Sequence, residues 1–226
     1  MHYPTSARAP GLKFDPFKAL VVPRPIGWIA TINRDGVPNL APYSFFNAVS
    51  DRPPMLMFSS GGHKDTLRNI QETGEFTCSI ANWDLREAMN LSSAPVAPGV
   101  NEFGLAGLAE APSMCVKPPR VAQAPAAFEC KVWQVIELPV PAGKPGGPTP
   151  VGYTLVIGEV LAVYIDDRYI DDGIVQTGSM RPLARLGYMD YSVVSPESMF
   201  TLNRPTASED GLTAQVQPGP WDGIYR

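Results

Sequence analysis

The stretch that decides the fold lies at residues 24–47 and reads RPIGWIATINRDGVPNLAPYSFFN. Ile26 to Ile32 has the length and apolar character of a strand, and Pro38 to Asn47 predicts a second strand. The turn between them, Asn33 to Gly36, ends in Asp-Gly, a dipeptide typical of β-hairpins. The sequence therefore predicts an antiparallel hairpin close to the N-terminus.

Strands continue to dominate outward from this hairpin, whereas helices are few and short. Further strands are predicted at Met55–Ser59, Glu75–Ile80, Ala127–Leu138 and Tyr153–Ile165. Short helices are predicted at Asp15–Leu20, Asp65–Gly74 and Leu85–Leu91. The regular alternation of strand and helix that a parallel sheet needs is absent. We therefore predict a mainly β fold, a small antiparallel β-barrel with a few peripheral helices.

The length of 226 residues fits one large β-rich domain. We predict a single domain over residues 1–226, with a core at about 14–195 and a C-terminal arm at 196–226. Ser92 to Pro125 has no sustained period, which indicates a long excursion over the barrel. Pro139 to Pro150 is rich in proline and glycine and is predicted to be a flexible hairpin loop.

Charge and composition argue against several functional classes. The formal net charge is −4 and no basic block stands out, so no nucleic-acid partner is expected. Three cysteines without a CxxC pair favour reduced thiols and a cytoplasmic location over a disulfide framework. Only His2 and His63 offer imidazole, so no metal site is expected. The apolar runs are too short and interrupted to cross a membrane, and the N-terminus lacks the pattern of a signal peptide.

The first candidate site is the segment from Asn39 to Asn47, where polar residues interrupt an otherwise apolar strand. Pro42 cannot donate a hydrogen bond to a neighbouring strand, which favours an edge or a bulge at this point. Such an edge leaves backbone N–H and C=O groups for a planar heteroaromatic ligand. The alternative is a strand that carries tolerated polar residues on its wet face.

The second candidate site is the loop from Ser59 to Thr66, which links a strand to the N-terminus of a helix. Its two glycines allow close approach of the backbone, and free N–H groups at a helix start attract an anion. Lys64 adds a positive charge, and Ser59 and Thr66 add hydroxyl donors, so the loop could hold a phosphate. The alternative is an ordinary helix cap, a role that Asp65 alone could fill.

The third candidate site is the segment from Arg181 to Tyr191, which carries two arginines and two tyrosines. Arginine suits a phosphate or a flavin carbonyl, and tyrosine can cover an aromatic face. The alternative is surface packing of amphipathic side chains.

Taken together in order and spacing, four segments resemble the flavin reductase-like domain family. The segments are Arg24–Thr31, Asn39–Asn47, Pro53–Ser59 and Lys64–Ile70. The resemblance covers roughly residues 14 to 195 and is strongest to the flavoredoxin-like, or flavoprotein oxygenase, branch. Arg185-Leu186-Gly187, followed by Tyr191, is similar to the C-terminal motif of that branch.

The resemblance implies an FMN-binding split barrel that forms a homodimer with FMN at the subunit interface. It implies that the isoalloxazine ring and ribityl chain lie along Thr31, Ala41, Pro42, Tyr43 and Ser44, with Asn47 near the ring. It also implies that Ser59, Lys64 and Thr66, in the loop that contains Asp65, hold the phosphate and that Arg185 closes the site. No catalytic residue is assigned, because the chemistry of such a protein resides mostly in the flavin.

One departure from the family pattern leaves the electron donor open. Reductases of this superfamily that use NADH often carry Gly-Asp-His near the C-terminus, where this chain has Gly187-Tyr188-Met189. The leading hypothesis is an oxidoreductase that passes electrons from NADH or NADPH through FMN to a flavin, oxygen or a partner. The alternatives are an FMN-bearing electron carrier or oxygenase component without direct use of NAD(P)H, and a non-catalytic ligand-binding barrel.

Overall fold

The computed structural model of the protein describes residues 1–5, 10–140 and 151–224. Most of the predicted hairpin loop at 139–150 therefore lies outside the described residues. Within the described residues, no helix is both long and apolar enough to cross a membrane.

The strands and helices have the following bounds. The strands are β1 Arg24–Pro25, β2 Gly27–Ile32, β3 Pro38–Tyr43, β4 Phe46–Asp51, β5 Pro54–Gly61, β6 Glu75–Ile80, β7 Glu110–Ala111, β8 Arg120–Val121, β9 Ala126–Glu137, β10 Tyr153–Ile165, β11 Ile170–Asp171, β12 Ile174–Val175, β13 Leu183–Arg185, β14 Tyr191–Val193, β15 Thr206–Ala207 and β16 Ala214–Gln215. The α-helices are α1 Phe17–Leu20, α2 Asp65–Thr73, α3 Arg86–Leu91, α4 Glu102–Leu105 and α5 Thr177–Met180. Short 3-10 helices lie at Trp83–Leu85, Asp167–Tyr169 and Pro196–Ser198.

Seven strands form one antiparallel sheet in the order β3-β2-β6-β9-β10-β5-β4. The sheet encloses a core that includes Ile29, Phe58, Phe76 and Val156, each at most 1% exposed. The long strand β10 pairs with β9 on one side and with β5 on the other, and its register against β9 shifts at two points. The mainly β, antiparallel prediction is confirmed.

A glycine lets the sheet bend around its aromatic core. Gly158 lies at one of the register shifts of β10, opposite Val132 of β9. A Cβ atom at this position would lie 2.5 Å from the Phe76 ring, closer than carbon atoms can approach. The missing side chain therefore allows Phe76 to pack directly against the bent strand.

The barrel is split where the sequence predicted one continuous strand. The predicted strand from Pro38 to Asn47 is two strands, β3 and β4, which are the opposite edges of the sheet. Between them the carbonyl of Phe45 accepts a hydrogen bond from the Ser59 N–H at 2.8 Å, and Phe46 turns into the core against Gly27. The edge position predicted from Pro42 is confirmed. The prediction of one uninterrupted strand was wrong, because the chain crosses the barrel between β3 and β4 and buries the Phe46 ring against Gly27.

Helix α2 follows the prediction closely and covers one side of the barrel. Its Leu67 and Ile70 are buried, and it ends at Gly74, whose φ of 72° is left-handed. The Gly74 N–H donates to the Ile70 carbonyl at 2.9 Å, which satisfies one of the last carbonyls of the helix. This packing fixes where the N-terminus of the helix points.

The excursion at 92–125 is fastened to the barrel by buried polar groups. Trp28 donates from its indole nitrogen to the Ser92 hydroxyl at 2.9 Å. Farther along, the buried Glu129 carboxylate accepts the backbone N–H groups of Met114 and Cys115. Because these contacts satisfy buried donors, the excursion has a defined position beside β3 and α2.

Strand β13, near the C-terminal end of the barrel, pairs with β1 near its N-terminal end. Strand β13 lies between β1 and β14 in a separate three-stranded sheet, which brings Arg185 beside Arg24. From residue 196 to residue 224 the chain is an arm that contains the small hairpin of β15 and β16, and its side chains are mostly exposed.

Candidate functional site

A cavity of about 370 Å³ lies between β3, the N-terminus of α2 and the segment at 92–98. We call it the strand–helix cavity. Six residues predicted from the sequence line it: Ala41, Pro42, Tyr43, Lys64, Asp65 and Thr66. The first and second candidate segments, which are separate in sequence, therefore meet around one space.

The start of α2 presents its backbone N–H groups to this cavity without a side-chain cap. The N-cap residue is Lys64, in extended conformation, and its side chain accepts no hydrogen bond from the helix. The positive end of the helix dipole and the exposed Lys64 ammonium therefore act together on the same space. This combination favours a bound anion.

Asp65 does not cap the helix, so that alternative was wrong. It is the first helical residue, and its carboxylate is bonded elsewhere: one oxygen pairs with Arg68 at 2.8 Å, and the other accepts the Gly99 N–H at 2.7 Å. Asp65 lines the cavity, but its carboxylate holds the backbone at Gly99, directly after the 92–98 segment, against the helix.

A buried polar network supports the floor of the cavity. Thr31 donates from its hydroxyl to Asn39 Oδ1 at 2.6 Å and accepts from Asn69 Nδ2 at 3.0 Å. Thr66 donates to the same Asn39 oxygen at 3.3 Å. Asn39 lines the cavity, whereas Thr31 is fully buried beneath it. Thr31 is thus placed one residue away from the cavity and orients Asn39.

Glu102 is a cavity residue that the sequence analysis missed. It lies at the start of α4, is 8% exposed, and accepts the Leu40 N–H at 2.9 Å. Burial, and to a smaller extent the charge of Asp65, raises the pKa of the Glu102 carboxyl above its usual value. The 92–98 segment was also missed as a wall, because its proline-rich sequence has no period that could reveal what it covers.

A second cavity, of about 340 Å³, brings the remaining end of the β3 segment to the C-terminal motif. Ser44 and Arg185 line it together with Arg24, Lys18 and Tyr188. We call it the arginine cavity. Ser44 follows directly after β3, whose residues line the first cavity, so one strand leads from the anion-binding helix end to these arginines.

Arg24 builds this second cavity from below. Its guanidinium is buried and donates to the carbonyls of Lys18 and Val21, both at 2.5 Å, and of Leu186 at 2.8 Å. Burial, followed by the nearby charge of Arg185, lowers the pKa of Arg24 from its usual value. Arg185 itself donates to the Tyr191 hydroxyl and to the Tyr188 carbonyl, which shapes the C-terminal motif around it.

Besides the buried Thr31, two more predicted residues lie outside both cavities. Asn47 is exposed on the edge strand β4, opposite Met57 of β5. Ser59 is half-buried on β5, whereas its neighbour Ser60 is fully buried with its hydroxyl 3.5 Å from that of Tyr43. Because side chains alternate along a strand, Ser60 is the serine that faces the buried side of β3.

Comparison with known proteins agrees with this architecture. The model of the family described as the flavin reductase like domain matches residues 19–184. A protein of Aquifex aeolicus is 38% identical over 174 residues, which is 74% of this chain and 83% of the relative.

Two solved structures are similar over most of the chain. Nitrilotriacetate monooxygenase component B from Bacillus cereus superposes with a TM-score of 0.77 at 27% identity, covering 89% of this chain and 98% of that one. The 2-nitrobenzoate 2-nitroreductase NbaA of Pseudomonas fluorescens gives 0.76 at 28% identity, with 92% and 100% covered. On the extent of these matches, the chain belongs to the flavin reductase-like family.

Proposed function

We propose that the protein binds FMN and acts as a flavin-dependent oxidoreductase. The observation that carries the proposal is the uncapped N-terminus of α2, where Lys64 and the buried Thr66 face the strand–helix cavity. FMN ends in a single phosphate, which suits one cluster of donors at a helix start. FAD is disfavoured, since the chain has no GxGxxG turn for a dinucleotide.

The residues present fit each part of FMN. Lys64 and the first N–H groups of α2 would hold the phosphate, and Asn39 and Glu102 offer polar atoms to the ribityl hydroxyls. The isoalloxazine ring would lie along the residues from Ala41 to Ser44 and extend toward Arg185. When bound, the flavin supplies the redox chemistry, while the protein orients it and places positive charge near it.

We propose that a nicotinamide reduces the bound flavin and that a small molecule or a partner then accepts the electrons. The similar solved structures include proteins named as a nitroreductase and a monooxygenase component, and both names fit electron transfer through a flavin. The second candidate is an electron carrier or oxygenase component that another protein reduces. It is favoured by Tyr188 and Met189, both exposed, where reductases that use NADH often have Asp and His.

Anaerobic addition of NADH or NADPH to the flavin-loaded protein separates these functions. We expect the flavin absorbance near 450 nm to decrease after mixing, because hydride transfer reduces the isoalloxazine ring. Bleaching by dithionite but by neither nicotinamide would support the carrier instead. Protein that binds no flavin at all would leave only the non-catalytic barrel.

We also propose that the protein is a homodimer with two-fold symmetry, located in the cytoplasm. The outer face of β9 and β10 exposes Trp133, Leu161 and Val163 by 62%, 44% and 56%. The arm exposes further large apolar residues, including Phe200 and Leu202 at 82% and 81%. Apolar surface of this extent is typical of an interface between subunits. The three cysteines are free thiols, as expected in a reducing compartment.

Light scattering of the flavin-loaded protein at micromolar concentration tests the dimer. We expect the mass of two chains, and a chain shortened before residue 196 should dissociate more readily because it lacks the apolar arm. A flavin-loaded protein with the mass of a single chain would exclude the homodimer.

A further inference from the structure

A further cavity in the described part of the chain shares only Arg185 with the residues assigned to FMN. It has a volume of about 480 Å³ and lies between the segment at 83–90 and strands β13 and β14. A volume at the lower end of the range for ligand sites suits a molecule with one ring better than a dinucleotide. We call it the tryptophan cavity.

Apolar and aromatic side chains form much of the wall of the tryptophan cavity. Met89 and Leu183 are buried and supply aliphatic surface. Trp83 and Tyr191 line the same space, and each is 38% exposed, so part of each ring remains accessible. Guanidinium groups already lie over both rings, Arg86 and Arg181 over Trp83 and Arg185 over Tyr191, so a planar ligand ring would meet the accessible part of Trp83 in an offset or tilted arrangement.

The cavity also carries excess positive charge. The Arg86 guanidinium lies 4.1 Å from the centre of the Trp83 ring, and the Arg185 guanidinium lies 4.5 Å from the centre of the Tyr191 ring. Glu87, which is 3.5 Å from Arg86, offsets part of this charge but is 85% exposed to solvent. Among the described residues, no carboxylate lies within ion-pairing distance of Arg185.

The arginines retain donors for a ligand. Arg86 donates to the Trp83 carbonyl at 2.8 Å, and Arg185 donates to the Tyr191 hydroxyl, the Tyr188 carbonyl and the Met189 sulfur, whereas each guanidinium has five N–H donors. The two segments that carry these arginines are joined to each other, because the Trp83 N–H donates to the Arg181 carbonyl and the Leu183 N–H to the Ala81 carbonyl, each at 2.9 Å. Preformed positions lower the entropy lost on binding.

We propose that the tryptophan cavity binds an aromatic carboxylate, with the ring against Trp83 and the carboxylate paired with Arg86 and Arg185. Arg185 also lines the arginine cavity beside Ser44, so the ligand would lie next to the flavin. The proximity to a flavin rests on the proposed function, whereas binding of the carboxylate does not. The site thus assigns a ligand class to this protein: small aromatic monoanions.

Calorimetric titration of flavin-free protein with benzoate, benzamide and cyclohexanecarboxylate tests the site. We expect benzoate to bind most tightly, benzamide to lose the ionic contact, and cyclohexanecarboxylate to lose the stacking. Arg86→Gln should weaken benzoate binding by about tenfold, the value of a hydrogen bond to a charged group. The matched control is Arg34→Gln, since Arg34 is 77% exposed and pairs only with Glu72 among ionic partners of the described residues.

The outcomes are separable from those of the flavin proposal. Equal binding of benzoate and benzamide, or an unchanged affinity in the Arg86→Gln protein, would overturn the assignment, as would no detectable benzoate binding at millimolar concentration. If Arg86→Gln unfolds, as judged by circular dichroism, Trp83→Leu provides the same test through loss of stacking. FMN titration of the same samples tests the flavin site separately. If FMN does not bind, the benzoate result is still valid.

Discussion

Replacement of Phe58 by alanine is expected to lower the free energy of unfolding by about 3–5 kcal/mol, the cost of deleting a buried aromatic ring. Phe58 is 1% exposed and lies at the centre of the barrel core. Its ring centre is 4.7 Å from that of Tyr43 and 5.6 Å from that of Phe76. The change would leave a cavity bordered by β3, β5 and β6, which neighbouring side chains can fill only in part.

Chemical denaturation of the wild type and the Phe58→Ala protein measures this loss. Phe17→Ala is a matched control, because Phe17 is 61% exposed and should change stability by less than about 0.5 kcal/mol. We also expect weaker FMN binding in Phe58→Ala, since Tyr43 loses its support. A loss no greater than that of the control would show that Phe58 is not a core residue.

Lys64→Ala is expected to weaken FMN binding by about 1.5–3 kcal/mol, the range for hydrogen bonds to charged groups. That is about tenfold or more in the dissociation constant. The fold should be unaffected, because the Lys64 side chain is exposed and its backbone, not its side chain, starts helix α2. The alternative, a solvated loop lysine, predicts almost no change.

Titration of FMN into the flavin-free wild type and variant measures the difference, with circular dichroism as a check on folding. Lys117→Ala is the matched control: Lys117 is exposed and lines a separate cavity beside Glu72 and Thr73, at the opposite end of α2. Equal affinities of Lys64→Ala and wild type would remove Lys64 from the site and weaken the assignment of Thr66.

Local sequence patterns were sufficient to predict most of the strands and turns of the barrel. The Asp-Gly turn, the apolar run of β2 and the glycine that ends α2 depend on neighbours in sequence, so the sequence predicted them well. The edge position of Pro42 followed from its missing N–H group. The anion site predicted for the loop from Ser59 to Thr66 rests on the same kind of local reason, since a helix start has unpaired N–H groups wherever it lies, and it stays a prediction.

Features that depend on tertiary contacts were not predictable in this way. The break after Tyr43 arises because Phe46 packs against Gly27, a contact between residues that no local pattern links. Glu102 reaches the cavity only because the excursion folds back onto Leu40. The family resemblance predicted that Thr31 lies along the flavin. In the structure Thr31 is buried beneath the strand–helix cavity, where its hydroxyl donates to Asn39. Residues that act through another residue leave no distinct mark in a single sequence.

The measurement that tests the central claim most directly is a comparison of FMN and riboflavin binding to the flavin-free wild-type protein. The two ligands share the ring and the ribityl chain and differ only in the phosphate. We expect FMN to bind more tightly by about 3 kcal/mol, on the order of a hundredfold, because the phosphate meets Lys64 and the uncapped start of α2. Equal affinity for riboflavin and FMN, or no binding of either, would contradict the account.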